Sequence, residues 1–190
     1  MKYAVLLVGL LGTCGLAMAQ DRQCRGIDFP GHVQVNSTEL SLNGLGIRKA
    51  TFLKVNVYVA ALYVTTPSHD ARALAEPTAP AELVLHFVRD VGVGDLRKAW
   101  NEGFEKAAKE QMPDLAARVA MLNRWMSDIK TGQSLVFVRQ PGIGTQVSVN
   151  GTVKGMITGN DFSRALFSIW LGPEPPNPEL KNGLLGGSCE

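Results

Sequence analysis

Residues 42–64, LNGLGIRKATFLKVNVYVAALYV, constrain this chain more than any other stretch. Over residues 51–65 the side chains alternate as a long strand requires. Leu53, Val55, Val57, Val59, Ala61 and Tyr63 fall on one face, and Lys54, Asn56 and Tyr58 fall on the other. A sheet holding this strand has one dry face and one partly polar face. Just upstream, Gly44 and Gly46 read as a turn leading into Arg48. Packing alone does not require Arg48, Lys54, Asn56 and Tyr58 together, so the segment suggests a site for an apolar molecule with an anionic or carbonyl head. Arg48 and Tyr58 lie ten residues apart, about 33 Å if fully extended, and can share a ligand only if the chain folds back near residues 49–51. The guanidinium fork of Arg48 matches a carboxylate or an enolate-like oxygen, and Tyr58 adds a hydrogen-bond donor from an apolar wall. The alternative is structural, with Arg48 capping a turn and Tyr58 at the solvent rim of the sheet.

The remaining elements follow from pattern. Residues 33–35 and 39–42 read as short strands joined at Asn36-Ser37, with a turn at Asn43-Gly44. Ser68 is placed to cap a short helix through Glu76, which Pro77 and Pro80 end. Residues 82–91 form a strand covered on both faces, because Leu83, Leu85 and Phe87 alternate with Val84, His86 and Val88. Residues 95–111 are an amphipathic helix with Leu96, Trp100, Phe104 and Ala107 on one stripe. Pro113 opens a second, striped by Leu115, Val119, Leu122, Trp125 and Met126. Strands at 134–139, 145–149 and 152–157 make a meander turned at 141–144 and at Asn150-Gly151. A helix over 162–171 follows, capped by Asn160 or Asp161, and the proline-rich tail is read as extended. Such an order gives a single α+β domain with a mostly antiparallel sheet and helices over one face.

Several chemistries are disfavoured. His32, His69 and His86 stand apart and lack the paired spacing of a zinc site, so neither a metal nor a cofactor is expected. The glycines of 141–144 and 150–155 suit hairpin turns better than a phosphate loop, having no terminal Gly-Lys-Ser/Thr before a helix. Ser163 has no Gly-x-Ser-x-Gly elbow, which removes a serine hydrolase.

The first 19 residues have the layout of a secretory signal. Lys2 precedes the apolar run 4–13, and Ala17-Met18-Ala19 offers a cleavage site. A lipoprotein signal ending at Cys14 is the poorer fit, because Thr13 sits where such signals prefer a smaller residue. Residues 20–190 then form the mature domain, expected in the periplasm or outside the cell, with no segment long and apolar enough to span a bilayer. Without Lys2 the chain carries 18 basic and 17 acidic side chains. That near balance points to no nucleic acid and no acidic membrane surface as partner. The mature chain keeps two cysteines, Cys24 and Cys189, which in an exported protein form a disulfide that staples the termini.

A resemblance runs through these pieces. Gly46-Ile47-Arg48, the strand to Leu62-Tyr63-Val64, residues 97–104 (RKAWNEGF), and Val149-Asn150-Gly151 through Ile169-Trp170-Leu171-Gly172 together resemble the bacterial chalcone isomerase-like family. The match covers nearly all of the mature chain in order. It implies an open-faced β-sandwich, a large antiparallel sheet with helices over it and a ligand cleft between. In plant chalcone isomerases an arginine after the glycines and a threonine on the next strand polarise the substrate ketone. Arg48 matches that arginine, while Tyr58 stands where the threonine would be. Tyrosine at that position resembles the fatty-acid-binding members, in which the pair holds a carboxylate. The final helix is similar to the one that selects among chalcones, and Ser163 falls on it. The helical Tyr and Asn of the enzymes have no clean equivalents in residues 96–107, where Asn101 is the only amide. The resemblance therefore implies a non-catalytic binder of a fatty acid or similar molecule. Arg48, Tyr58 and Asn56 would lie at the head group, Trp100, Asn101 and Phe104 on the helix wall, and Ser163 on the last helix. The alternatives are an intramolecular lyase using Arg48 and Tyr58, and an envelope protein-interaction module with a vestigial cleft.

Overall fold

The computed structural model describes residues 20–50 and 55–189. The expected signal segment with its cleavage site after Ala19, and the strand residues Thr51, Leu53 and Lys54, lie outside the described residues.

Seven antiparallel strands form the main sheet in sequence order, each beside the next. They are β3 (His32–Val35), β4 (Thr38–Ala50), β5 (Val55–Val64), β6 (Ala81–Phe87), β7 (Ser134–Gln140), β8 (Gly144–Val149) and β9 (Thr152–Thr158). Before them, β1 (Arg22–Cys24) and β2 (Ile27–Phe29) make a small hairpin that the sequence reading did not anticipate. The helices are α1 (Ala71–Ala75), α2 (Val93–Ala108), α3 (Met112–Trp125), α4 (Asn160–Leu171) and α5 (Pro178–Leu184), with a short 3-10 turn, Lys109–Gln111, between α2 and α3.

The sheet separates two apolar cores. On one side Ala60, Leu62, Leu83, Leu85 and Phe87 meet Leu96, Trp100 and Phe104 of α2, Leu115, Val119 and Leu122 of α3, and the apolar side of α4. On the other side Leu40, Leu42, Leu45, Ile47, Val59, Ala61 and Tyr63 meet Cys24 and Phe29 of the small hairpin. The helix stripes 96, 100, 104 and 115, 119, 122 and the two-sided β6 thus stand as the sequence implies. Both faces of β5 are apolar beyond Tyr58, so the partly polar face is confined to the start of the strand.

Residues 42–46 do not turn. β4 runs unbroken from Thr38 to Ala50, with a register shift between Leu42 and Gly44. That bulge changes the phase of the alternation, so Leu40 and Leu42 share a face with Leu45 and Ile47 despite the odd step between them. The glycines serve a close approach. A Cβ on Gly44 would lie 2.1 Å from the carbonyl oxygen of Gly183, and one on Gly46 would lie 2.3 Å from that of Leu180. Both oxygens belong to α5, the helix that replaces the expected extended tail. Pro178 at its first turn and the buried pair Leu180 and Leu184, one helical turn apart, define it.

Smaller corrections concern termini. Asp70, rather than Ser68, caps α1, accepting from the backbone N–H groups of Arg72 and Ala73. β6 ends at Phe87, and Val91 instead forms an isolated bridge with Ile129. Gly159 is the N-cap of α4, which frees Asp161 to pair with Arg118 of α3 at 2.5 Å. That ion pair holds the Asp161 carboxyl down at about 2. Cys24 and Cys189 form the expected disulfide, with Cα atoms 6.0 Å apart.

Candidate functional site

β4 and β5 pair antiparallel, which sets Arg48 directly opposite Tyr58 in their ladder. Opposed residues of an antiparallel pair share a face. Here it is the helix-covered face, because Gly46 and Ala60, two positions along, are the next pair on the same face and Ala60 belongs to the helix-side core. The register shift next to this pair leaves Val57 of β5 as the extra residue, and that bulge brings Val57 to the helix side beside Tyr58, although simple alternation places it on the opposite face with Val55 and Val59.

Arg48 and Tyr58 both line a cleft of about 610 Å³, within the range of small-molecule sites. Val57, Tyr58, Leu85 and Phe87 of β5 and β6 form its floor, and Leu96, Trp100 and Gly103 of α2 form one wall. Ile169 and Trp170 of α4 form the other, with Glu174 and Pro176 of the following segment at one end. A Cβ on Gly103 would come within 3.1 Å of the Ile169 side chain, so this glycine sets how closely α2 and α4 approach beside the cleft.

Aromatic rings make up much of the lining. Tyr58 meets Phe87 edge-on at 5.4 Å, and Trp100 meets Trp170 at 5.9 Å with planes at 68°. The Tyr58 hydroxyl accepts a hydrogen bond from the Trp170 indole N–H at 2.9 Å. With one lone pair so used, its own proton remains to be donated. Burial pushes the phenol up to about 12, against smaller opposing effects of the Trp170 bond and the Arg48 charge. Tyr58 is therefore a neutral donor at physiological pH, not a base. Arg48 donates through Nη1 to the carbonyl oxygens of Lys49 and Pro176, the latter at 3.4 Å. Its Nε and Nη2 hydrogens have no partner among the described residues.

Charges ring the opening. Lys98 pairs with Glu102 at 3.9 Å, and Asp90 pairs with Lys130 at 2.9 Å. The Thr131 backbone N–H and the Lys130 ammonium hold the Asp90 carboxyl below its ordinary range. Among the described residues no group of three His, Cys, Asp or Glu side chains could hold a metal ion.

Of the residues expected at a ligand, the fold brings Arg48, Tyr58 and Trp100 together. The others do not line the cleft. Asn56 stands opposite Lys49 near the hairpin end. Asn101 lies on the outside of α2, where its side chain accepts from Asn123. Phe104 is fully buried one turn beyond Trp100, stacked at 5.3 Å against Phe162. Ser163 is buried against Thr145 at 2.8 Å and donates to the Gly159 carbonyl. Strand polarity nominated Asn56, helix phase Phe104, and the family resemblance Asn101 and Ser163, but the direction of each element turns them elsewhere. Conversely, Trp170, Ile169, Leu85, Phe87 and Pro176 were missed as cleft residues. Trp170 stood in the quoted motif, but nothing local says that its N–H meets Tyr58.

The sequence matches the family model described as chalcone isomerase-like over residues 21–186. The chain belongs to the chalcone isomerase-like family. A solved structure of a fatty-acid-binding protein from Arabidopsis thaliana superposes with a TM-score of 0.65 at 16% identity, covering 84% of this chain and 92% of that one. At that identity the likeness concerns the fold, and it agrees with the curled antiparallel sheet and overlying helices seen here. No curated protein matches the sequence significantly.

Proposed function

We propose that this chalcone isomerase-like chain binds a small apolar molecule with an anionic or carbonyl head, a fatty acid fitting best, and performs no chemistry on it. The observation that carries this reading is the pairing of Arg48 with Tyr58 at one end of an apolar, aromatic-lined cleft. A carboxylate there would take charge-assisted bonds from the guanidinium and a further bond from the Tyr58 hydroxyl. The alkyl chain would lie along Phe87, Trp100 and Trp170. The name of the Arabidopsis neighbour, a fatty-acid-binding protein, is consistent with this reading. The open cleft weighs against a module that merely retains a vestige of one.

The same pair could polarise a ketone, which keeps a chalcone isomerase-type lyase as a second reading. Absorbance loss on adding chalcone, abolished by Arg48→Ala, would establish it. We further propose that the chain acts in the periplasm or outside the cell. The Cys24–Cys189 disulfide supports that, since such bonds persist in oxidising compartments. No helix among the described residues is long and apolar enough to cross a membrane.

The test is titration of delipidated protein with dodecanoic acid, read by the fluorescence of Trp100 and Trp170. Arg48→Ala should weaken binding by roughly tenfold to a hundredfold, the worth of about 1.5–3 kcal/mol for a hydrogen bond to a charged group. Absence of binding in titration, together with no lipid in native mass spectrometry of freshly purified protein, would overturn the proposal.

A further inference from the structure

The part of the chain that holds Arg48 in place is far away in sequence. β3 pairs with β4 only from Thr38 to Ser41, so among the described residues no strand lies beside the rest of that β4 edge. At Ile47 and Lys49 the side chain of Asn177 takes the place of a strand. Its Oδ1 accepts from the Lys49 backbone N–H at 3.2 Å, and its Nδ2 donates to the Ile47 carbonyl at 3.2 Å. Successive odd residues of a strand direct their backbone groups to the same edge, so a single side-chain amide, with one acceptor and two donors, can satisfy both. Between these two anchored residues sits Arg48. The residue before Asn177 contributes as well, since the Pro176 carbonyl accepts from Arg48 Nη1.

Asn177 itself is fixed from behind. It immediately precedes α5, whose backbone lies directly on Gly44 and Gly46 of the same strand. Nδ2 also reaches the Glu179 carboxylate at 3.4 Å, which orients the amide with its oxygen toward Lys49. The glycines, the helix and the amide together lock the final residues of β4, and with them the direction from which the guanidinium enters the cleft.

We infer that Asn177 is a positioning residue for the head-group site, acting through Arg48 to favour an anionic head over a neutral one. It touches no ligand. Asn177 bonds to the residues on both sides of Arg48, opposite the bulge that Val57 makes in β5. Without the amide, Ile47 and Lys49 would turn to water, and the Arg48 side chain would lose its fixed origin. Asp at this position would keep the acceptor for Lys49, lose the donor for Ile47, and set a second carboxylate beside Glu179.

This inference rests on the binding proposed above, and its test separates the two. Wild type, Arg48→Ala, Asn177→Ala and the double variant are titrated with dodecanoic acid and with dodecanol, which share a chain and differ in the head. Asn177→Ala should weaken the acid by about tenfold, since it mispositions a charge-assisted contact, and leave the alcohol within about twofold. In the Arg48→Ala background it should cost the acid little more, since both changes act on one contact. Amide exchange at Lys49 should accelerate in Asn177→Ala without any ligand, and Asn177→Asp, which keeps that acceptor, should retain slow exchange. Equal losses for acid and alcohol, additivity with Arg48→Ala, or unchanged exchange at Lys49 would each overturn the role of Asn177 while leaving the binding intact. A wild-type protein that binds neither probe would instead remove the binding proposal, and the inference with it.

Discussion

Tyr58→Phe should reduce stability even though Phe fills nearly the same space. The hydroxyl it removes accepts from Trp170 at 2.9 Å, and Trp170 is only 1% exposed. Phe would keep the edge contact with Phe87 at 5.4 Å, so the change isolates the polar atom. An intact hydrogen bond of this kind contributes only about 0.5–1.5 kcal/mol net, but a buried donor left without a partner costs about 1–3 kcal/mol. The second figure governs to the extent that the indole N–H of a side chain 1% exposed loses its partner without gaining water. For a domain of this size, each kcal/mol shifts Tm by about 2–4 °C, so a fall of roughly 2–12 °C is expected. Thermal unfolding followed by circular dichroism measures the shift, and urea unfolding gives the free energies, with Trp170→Phe and the double variant completing a cycle. In the Trp170→Phe background the donor is already gone, so Tyr58→Phe should cost less than it does alone. The coupling should be at least about 1 kcal/mol. A Tyr58→Phe protein within about 0.5 kcal/mol of the parent, with no coupling to Trp170, would refute the reasoning.

Two further outcomes are expected. The Cys24–Cys189 bridge spans a sequence separation of 165, for which the chain-entropy relation gives about 5 kcal/mol as an upper figure. Reduction, or Cys24→Ser with Cys189→Ser, should lower the urea midpoint accordingly, whereas two titratable thiols in the unreduced protein would contradict the pairing. Asp161 is held at about 2 by Arg118, below its ordinary 3.8. Its contribution is present above the unfolded value and is lost as pH falls through the folded one, so stability should decline between about pH 4 and pH 2. Asp161→Asn should flatten that part of the pH profile, and an unchanged profile would count against the ion pair.

Much of the scaffold was legible because it depends on short-range periodicity. The stripes of α2 and α3, the alternation of β6 and of β5 from Tyr58 onward, and the Asn150-Gly151 hairpin each bury one set of side chains whatever lies beyond them, whereas the bulge at Val57 moves that residue to the Tyr58 side of the sheet. The cysteine pairing was legible because the expected mature chain keeps only two cysteines. Gly44 and Gly46 were misread for a physical reason. Glycine permits a turn and also permits another backbone to come within van der Waals reach, and only the distant Leu180 and Gly183 show which use applies here. The tail was misread likewise, because a seven-residue helix containing Gly183 has little propensity of its own and exists by burying Leu180 and Leu184.

The site divides along the same line. By itself the sequence determined the residue types and the family: an arginine after two glycines, a tyrosine on the next strand and a helix carrying Trp100. These follow from order along the chain. Only the tertiary structure decided that Arg48 faces Tyr58, since a one-residue change in register would send their side chains to opposite faces. It also decided that Trp170 holds the Tyr58 hydroxyl and that Asn177 brackets Arg48, contacts spanning 112 residues and about 128 residues of chain. Such contacts leave no local signature, because a hydrogen bond between remote residues exists only once two independently specified elements have packed.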